Sequence, residues 1–281
     1  MLFPADCRVC GLPLPGFTLL PVCSSCWNQL PIQTGPLCTR CGEALASDPE
    51  LTGESLCRPC RLAPPAFDQA VAHGVYRDAL RALLHLLKYD GMAPLAKPLG
   101  TLLAHRLLTI PNLPEDLIAV PVPLFAGKRR ARGFNQAALL ARSAVAALRH
   151  RRPGLRIELA PGVLRRSRAT ESQAGLTPHQ RRLNVRGAFT VADPEAIANR
   201  HILLIDDIYT TGATARACSA ALRRGGAAGV WVATVARAQK EEAQHRQVWH
   251  STEAARPELP MEEDIAYWDP SRPALTGGTT Q

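Results

Sequence analysis

Ile202-Leu-Leu-Ile-Asp206-Asp207-Ile-Tyr209-Thr210-Thr211-Gly212-Ala213-Thr214 is the stretch whose reading decides the fold. Four apolar residues in a row, Ile202 to Ile205, suit a strand buried on both faces. Two adjacent carboxylates, Asp206 and Asp207, stand where that strand is expected to end. A turn of small and hydroxyl-bearing residues follows and opens a helix. In an open α/β sheet, ligands bind beyond the carboxyl ends of the strands, which is where this turn falls. The backbone N–H groups of Tyr209 to Thr214 can wrap a phosphate, and Thr210, Thr211 and Thr214 add hydroxyl donors. Gly212 permits the close backbone approach that such a turn needs. A phosphate repels carboxylates, so Asp206 and Asp207 are expected to face an uncharged, hydroxyl-bearing part of the same ligand. A ribose diol joined to that phosphate meets both requirements.

The flanking chain supplies the rest of an α/β domain. Leu80, Leu83, Leu84 and Leu87 fall on one face of a helix expected over Arg77 to Lys88, and a second is expected over Leu95 to Leu108. Leu117 to Pro121 is a short apolar run suited to a buried strand. Phe134, Ala138, Ala141, Val145 and Leu148 step by four and three, predicting an amphipathic helix over Phe134 to His150. Ala188 to Val191 reads as a strand and Thr214 to Arg224 as a helix stopped by Gly225-Gly226. Val230 to Val235 reads as a final strand. Apolar strands alternating with helices predict a parallel sheet with helices on both faces.

Residues 1–64 are different in kind. They hold eight of the nine cysteines, as four C-x-x-C pairs: Cys7/Cys10, Cys23/Cys26, Cys38/Cys41 and Cys57/Cys60. Two thiolates of one pair reach a single ion from a tight turn, and four at tetrahedral corners make a closed structural zinc site. The spacings predict a double zinc ribbon holding two zinc ions, with sequential pairing favoured over an interleaved one. From Gln239 the chain turns polar, with eight acidic residues against four basic ones, and 239–281 is expected to be a disordered tail. The expected organisation is therefore a ribbon domain over 1–64, an α/β domain over 65–238 and that tail.

The net charge is +9, unevenly distributed: Val120 to Thr190 carries fifteen Lys/Arg against two acidic residues, Glu158 and Glu171. Such a field attracts phosphate, pyrophosphate or nucleic acid. No apolar run is long enough to span a bilayer, and Met1 to Cys7 lacks the form of a signal peptide, which predicts a cytoplasmic protein with no membrane insertion.

The quoted stretch closely resembles the PRPP fingerprint of type I phosphoribosyltransferases. By that resemblance Asp206 and Asp207 hold the ribose hydroxyls and carry any catalytic role, while Tyr209, Thr210, Thr211, Gly212, Ala213 and Thr214 hold the 5′-phosphate. Lys128-Arg-Arg-Ala-Arg132-Gly133 occupies the kind of position where a loop contacts pyrophosphate, with Arg130 and Arg132 the expected ligands. The polar, basic segment from Leu164 to Val185 resembles the hood that closes over PRPP; its rival reading is an arm that binds DNA phosphates. Together with the Cys pairs, Leu87-Lys88-Tyr89, Val120-Pro-Val-Pro123 and Arg132-Gly-Phe-Asn-Gln136 follow an order that resembles the ComF family over about residues 1–238. That family is a double zinc ribbon fused to a phosphoribosyltransferase domain and is associated with DNA uptake in natural transformation. The resemblance implies PRPP with Mg²⁺ as ligand, and single-stranded DNA or DNA-uptake proteins as partners. It leaves open whether the domain transfers phosphoribosyl to a base or amine, or only binds it.

Overall fold

The computed structural model describes residues 6–16, 18–45, 55–168 and 177–239. Two short helices, α1 (Ser24–Asn28) and α2 (Arg58–Leu62), each start directly after the first cysteine of a C-x-x-C pair. The larger part runs β1 (Gln69–Val75), α3 (Asp78–Tyr89), α4 (Ala96–Leu108), β2 (Asp116–Pro121), α5 (Ala126–Arg132), α6 (Gln136–Arg151), β3 (Arg156–Leu159), β4 (Leu164–Arg166), α7 (Pro178–Val185), β5 (Phe189–Val191), β6 (His201–Tyr209), α8 (Ala213–Arg224) and β7 (Gly229–Arg237).

Five strands form one parallel sheet in the order β1-β7-β6-β2-β3. Helices α3, α4 and α6 bury their apolar stripes on one face, against Leu117, Ala119, Leu203, Ile205, Ala233 and Val235. Helix α8 covers the other face, against Ile118, Val120, Ile202, Leu204, Val230 and Val232. The expected architecture is thus present, and the four leucines chosen from α3 are all fully buried.

Two expected elements differ. The strand that opens the decisive stretch does not stop at Ile205 but continues to Tyr209, so both carboxylates lie inside it. The reason is its neighbour: β7 runs alongside to Arg237, pairing Asp206 with Thr234, Ile208 with Ala236 and Tyr209 with Arg237. The strand expected over Ala188 to Val191 exists as β5 but stands outside the main sheet, in an antiparallel pair with β4. Strands β1 and β3 complete the sheet without having been legible. No helix among the described residues is long and apolar enough to cross a membrane.

The cysteine-bearing part is built onto the sheet edge. Between its two halves, Pro31 to Gln33 runs antiparallel to β1: Val75 N donates to Pro31 O at 2.8 Å and Gln33 N to His73 O at 3.2 Å. This covers an edge that would otherwise expose unpaired backbone groups. The approach is tight enough that a Cβ at Gly74 would lie 2.2 Å from Pro31 O and 2.7 Å from Leu80 Cδ2. Gln239, expected to open the tail, is instead buried, and its Oε1 accepts from Ala44 N. Residues 240–281, the rest of that expected tail, lie outside the described residues.

Gly74→Ala is therefore expected to destabilise the protein by about 1–3 kcal/mol, the usual cost of forcing atoms into a packed site. Urea unfolding measures this, and an unchanged midpoint would mean that Pro31 does not press on β1.

Candidate functional site

Strand alternation sends the two carboxylates to opposite faces of the sheet. Asp207 turns toward α3, where Lys88 Nζ lies 2.8 Å from its Oδ2, and Asp207 is only 4% exposed. Burial would lower the pKa of Lys88, but the Asp207 carboxylate outweighs it and holds the ammonium above its ordinary value. Asp206 turns to the other face and keeps partial exposure. Its Oδ1 accepts from Asp207 N at 2.9 Å. Burial, and then the charge of Asp207, push the Asp206 pKa up to about 8; the Asp207 N–H, Lys88 and Arg166 pull the other way.

Alternation shifts phase after the acid pair. Ile208 packs with the α3 side and Tyr209 with the α8 side, so Tyr209 is buried beneath the turn that follows. Gly212 caps α8 in the left-handed region at φ 73°, and a Cβ there would lie 2.2 Å from Tyr209 Oη. Only glycine fits both constraints. The turn thus rests on the Tyr209 ring, and Arg216 N donates to Gly212 O at 2.8 Å as the helix begins. Within it the Thr211 hydroxyl oxygen is enclosed and has no hydrogen-bond partner.

The basic residues surround Asp206 unequally. The stretch Lys128 to Arg132, expected as a loop, is helix α5, closed by left-handed Gly133, whose N–H donates to Arg129 O. Good helix formers and a terminal glycine explain the difference. Arg130 is exposed on it. Arg132 donates to Gln136 Oε1 at 2.6 Å, and its guanidinium lies 5.3 Å from the centre of the exposed Tyr89 ring. Asn135 fixes the start of α6, accepting from Ala137 N and donating to Val122 O. Burial and then the charges of Arg166 and Arg132 lower the pKa of Lys128, so three cations converge here. Arg166, on β4, stacks 5.4 Å from the Phe189 ring centre and is coupled to Asp206.

The segment expected as a hood contains β4 and α7. Arg168 binds Asn184 O and Arg186 O, and Thr177 with Gln180 forms a reciprocal cap on α7. Its middle, including Thr170 to Gln173, lies outside the described residues. Cys218 is buried in the core on α8. A separate hollow of 380 Å³ lies at the opposite ends of the strands, around Asp116, Arg149, Arg156 and Arg200. There Asp116 already pairs with Arg156 and Arg200, while Arg149 donates to Ile157 O, which leaves little for an anion.

The cysteines gather sequentially: Cys7, Cys10, Cys23 and Cys26 in one cluster, and Cys38, Cys41, Cys57 and Cys60 in the other. Within each, the four sulfurs lie within 4.8 Å of one another. Four thiolates so disposed fit one tetrahedral, closed zinc site each, of structural rather than catalytic type. Gly11 and Gly42 both turn at positive φ directly after a ligand pair.

Residues 1–62 match the double zinc ribbon domain family. The chain is 32% identical over 232 residues to DNA utilization protein YhgH of Salmonella typhi, covering 82% of this chain and 95% of that one. It is 30% identical over 227 residues to competence protein F of Haemophilus influenzae, covering 77% and 90%. The chain belongs to the ComF family. Among solved structures, a glutamine PRPP amidotransferase from B. subtilis, complexed with ADP and GMP, resembles this ComF protein loosely. The TM-score is 0.32 at 19% identity, over 50% of this chain and 26% of that one.

Nothing in the local sequence assigns the roles of Lys88 and Arg166 or the packing role of Tyr209. Lys88 stood within a quoted motif, yet nothing local links it to Asp207. Lys88→Met leaves a buried carboxylate unpaired and is expected to cost about 3–5 kcal/mol. Adding Asp207→Asn should recover part of that loss in a double-mutant cycle read by urea unfolding; simple additivity would deny the ion pair.

Asp206 makes the opposite prediction. Between about pH 4 and 8 the folded protein retains a proton on Asp206 that the unfolded chain has released. Stability should therefore fall as pH rises through that window. Asp206→Asn is expected to raise Tm by several degrees at pH 8 and to leave it unchanged near pH 4. Thermal melts at the two pH values test this, and equal shifts at both would count against it.

Proposed function

We propose that this ComF-family protein binds a 5-phosphoribosyl ligand such as PRPP beyond the end of β6, and that it acts in DNA uptake. The observation that carries the reading is the enclosed, unpartnered Thr211 hydroxyl in a glycine-containing turn that opens a helix, one strand-end away from a half-exposed carboxylate. A buried hydroxyl without a partner costs about 1–3 kcal/mol, and a phosphate oxygen would remove that cost. Tyr209 to Thr214 would hold the monoester through N–H groups and hydroxyls. Asp206, titrating near neutrality, can both accept from and donate to a ribose diol. Asp207, turned to the opposite face and held by Lys88, would support Asp206 from behind through its N–H, which donates to Asp206 Oδ1.

Arg132, with Arg130 beside it on α5, would meet the pyrophosphate, helped by Lys128 and Arg166. Guanidiniums suit this because they form two parallel bonds to phosphate oxygens. No group of three or more acidic ligands occurs among the described residues. A Mg²⁺ ion would therefore come with the pyrophosphate of the ligand rather than occupy a protein cage. The converging cations also support a second reading, transfer of phosphoribosyl to a base or amine: pyrophosphate would leave C1 with the bonding pair, a nitrogen nucleophile would bond to C1 and a proton would leave that nitrogen. The names of the relatives support the role in DNA uptake, and the basic Val120–Thr190 region supports contact with single-stranded DNA or with DNA-uptake proteins.

Calorimetry with ribose 5-phosphate and PRPP tests the binding. Thr211→Val is expected to weaken both about tenfold, the equivalent of about 1.4 kcal/mol. Heat-silent mixing with both ligands would sink the proposal. Pyrophosphate release on adding a panel of bases, amines and single-stranded DNA separates transfer from binding alone.

A further inference from the structure

Two arginines link the second cysteine cluster to the turn that starts α8, one from each side of that turn. Arg237, at the end of β7, is 3% exposed. Its Nη2 lies 3.6 Å from Cys41 Sγ and also donates to Glu43 Oε2. Its guanidinium stacks 4.1 Å from the centre of the Tyr209 ring, the ring on which Gly212 rests. Arg216, in the first turns of α8, donates to Ala63 O at 2.7 Å and reaches Cys60 Sγ at 3.9 Å. Phe67 closes the same contact: it meets Tyr209 edge-on at 6.3 Å, and its carbonyl accepts from Arg40 between two of the cysteines.

Charge strengthens this linkage when zinc is bound. A Zn²⁺ ion with four thiolates carries a net charge of two minus, because metal binding deprotonates each thiol. Two guanidiniums balance that charge, and the interaction is stronger at buried Arg237 than at the more exposed Arg216. Arg237 also pairs with Glu43, which holds its guanidinium beside the cluster. The first cluster has no such linkage: among the described residues no arginine reaches its sulfurs, and Arg8 pairs with Asp90 instead.

We propose that the second cysteine cluster, when it holds zinc, shapes the Tyr209–Thr214 turn through Arg237 and Arg216, which makes Arg237 a positioning residue for the phosphate site. The identity of the ligand rests on the function proposed above; the mechanical linkage does not. Coupling between sites is reciprocal, so occupancy of the turn by a phosphorylated ligand also tightens zinc binding by this cluster and not by the other.

Hydrogen exchange on the full chain reads the linkage without any ligand. In Arg237→Met with both zinc ions still bound, exchange of the Arg216 and Ala238 amides, which donate to Gly212 O and Tyr209 O, should quicken at least about fivefold. The Leu83–Leu87 amides of α3 serve as the internal control. Arg237→Lys, which keeps the charge but not the planar stack, should restore part of the protection. Cys57→Ser should reproduce the Arg237→Met pattern, and Cys10→Ser, in the first cluster, should not. If Arg237→Met also loosens α3, the Arg237→Lys variant and the two cysteine variants decide the matter.

Unchanged exchange in Arg237→Met, or equal loosening by Cys10→Ser, overturns the proposal. Calorimetry with ribose 5-phosphate on the same proteins separates the two ideas. Loosened amides without any ribose 5-phosphate binding to the wild type would sink the ligand reading and leave the linkage standing. Equal affinity in wild type and Arg237→Met would sink the linkage and leave the ligand reading standing.

Discussion

Strand β6 is paired on both sides, and that constraint governs the whole site. With β2 pairing its first half and β7 its full length, the chain must stay extended to Tyr209. An extended chain alternates its side chains, so two neighbouring aspartates cannot both face one crevice. The fold meets this in two ways. It neutralises the carboxylate that falls among the leucines of α3 with a lysine from the end of that helix. It leaves the other carboxylate half-exposed among cations. The change of phase after Asp207 then brings Tyr209 under the turn, where an aromatic ring can support Gly212.

The ribbons depend on the sheet as much as they depend on metal. Each cysteine cluster contributes to one of the two apolar layers: Cys7 and Cys26 pack with Leu14, Val22 and Leu30 toward α3 and α4, and the second cluster packs with Phe67 toward α8. Small segments of this kind cannot bury enough apolar surface to fold alone, and zinc ligation supplies folding free energy directly. The Pro31–Gln33 segment adds a second attachment by covering the free side of β1. Arg40, between Cys38 and Cys41, adds a third: its carbonyl accepts from Ala70 N on β1 at 2.8 Å.

What could be read from the sequence follows from which interactions are local. The apolar run Ile202–Ile205, the leucine spacing of α3 and the paired cysteines each state their structure within a few residues, and all three are found. Strand β1 does not: Gln69-Ala-Val-Ala-His-Gly-Val75 is rich in alanine and contains a glycine, and it is a strand because β7 and Pro31–Gln33 flank it. Lys88 reads locally as a cation near a helix C-terminus, where the helix dipole favours one in any case. Its partner lies on a strand much later in the chain, and only the packing of α3 on the sheet brings them together. Arg237 was hidden in the same way, at the end of an apolar strand whose pattern gives no hint of a guanidinium buried against a thiolate cluster.

The electrostatics of the site favour one kind of molecule over others. Burial first, and then the charges of Arg166 and Arg132, make Lys128 give up its proton more readily than usual. Asp206, near Arg166, resists ionisation because of burial and the charge of Asp207 beside it. An anion alone would relieve the cations and worsen the position of Asp206. A polyol alone would do the reverse. A molecule that is anionic at its ends and hydroxylated between them relieves both, because charge meets charge and the diol meets the carboxylate. A DNA strand brings the phosphates but no vicinal diol, so contact with DNA alone would leave Asp206 unexplained. That asymmetry supports the proposal of a phosphorylated ribose beyond the end of β6, and places any proposed contact with DNA elsewhere on the basic Val120–Thr190 region.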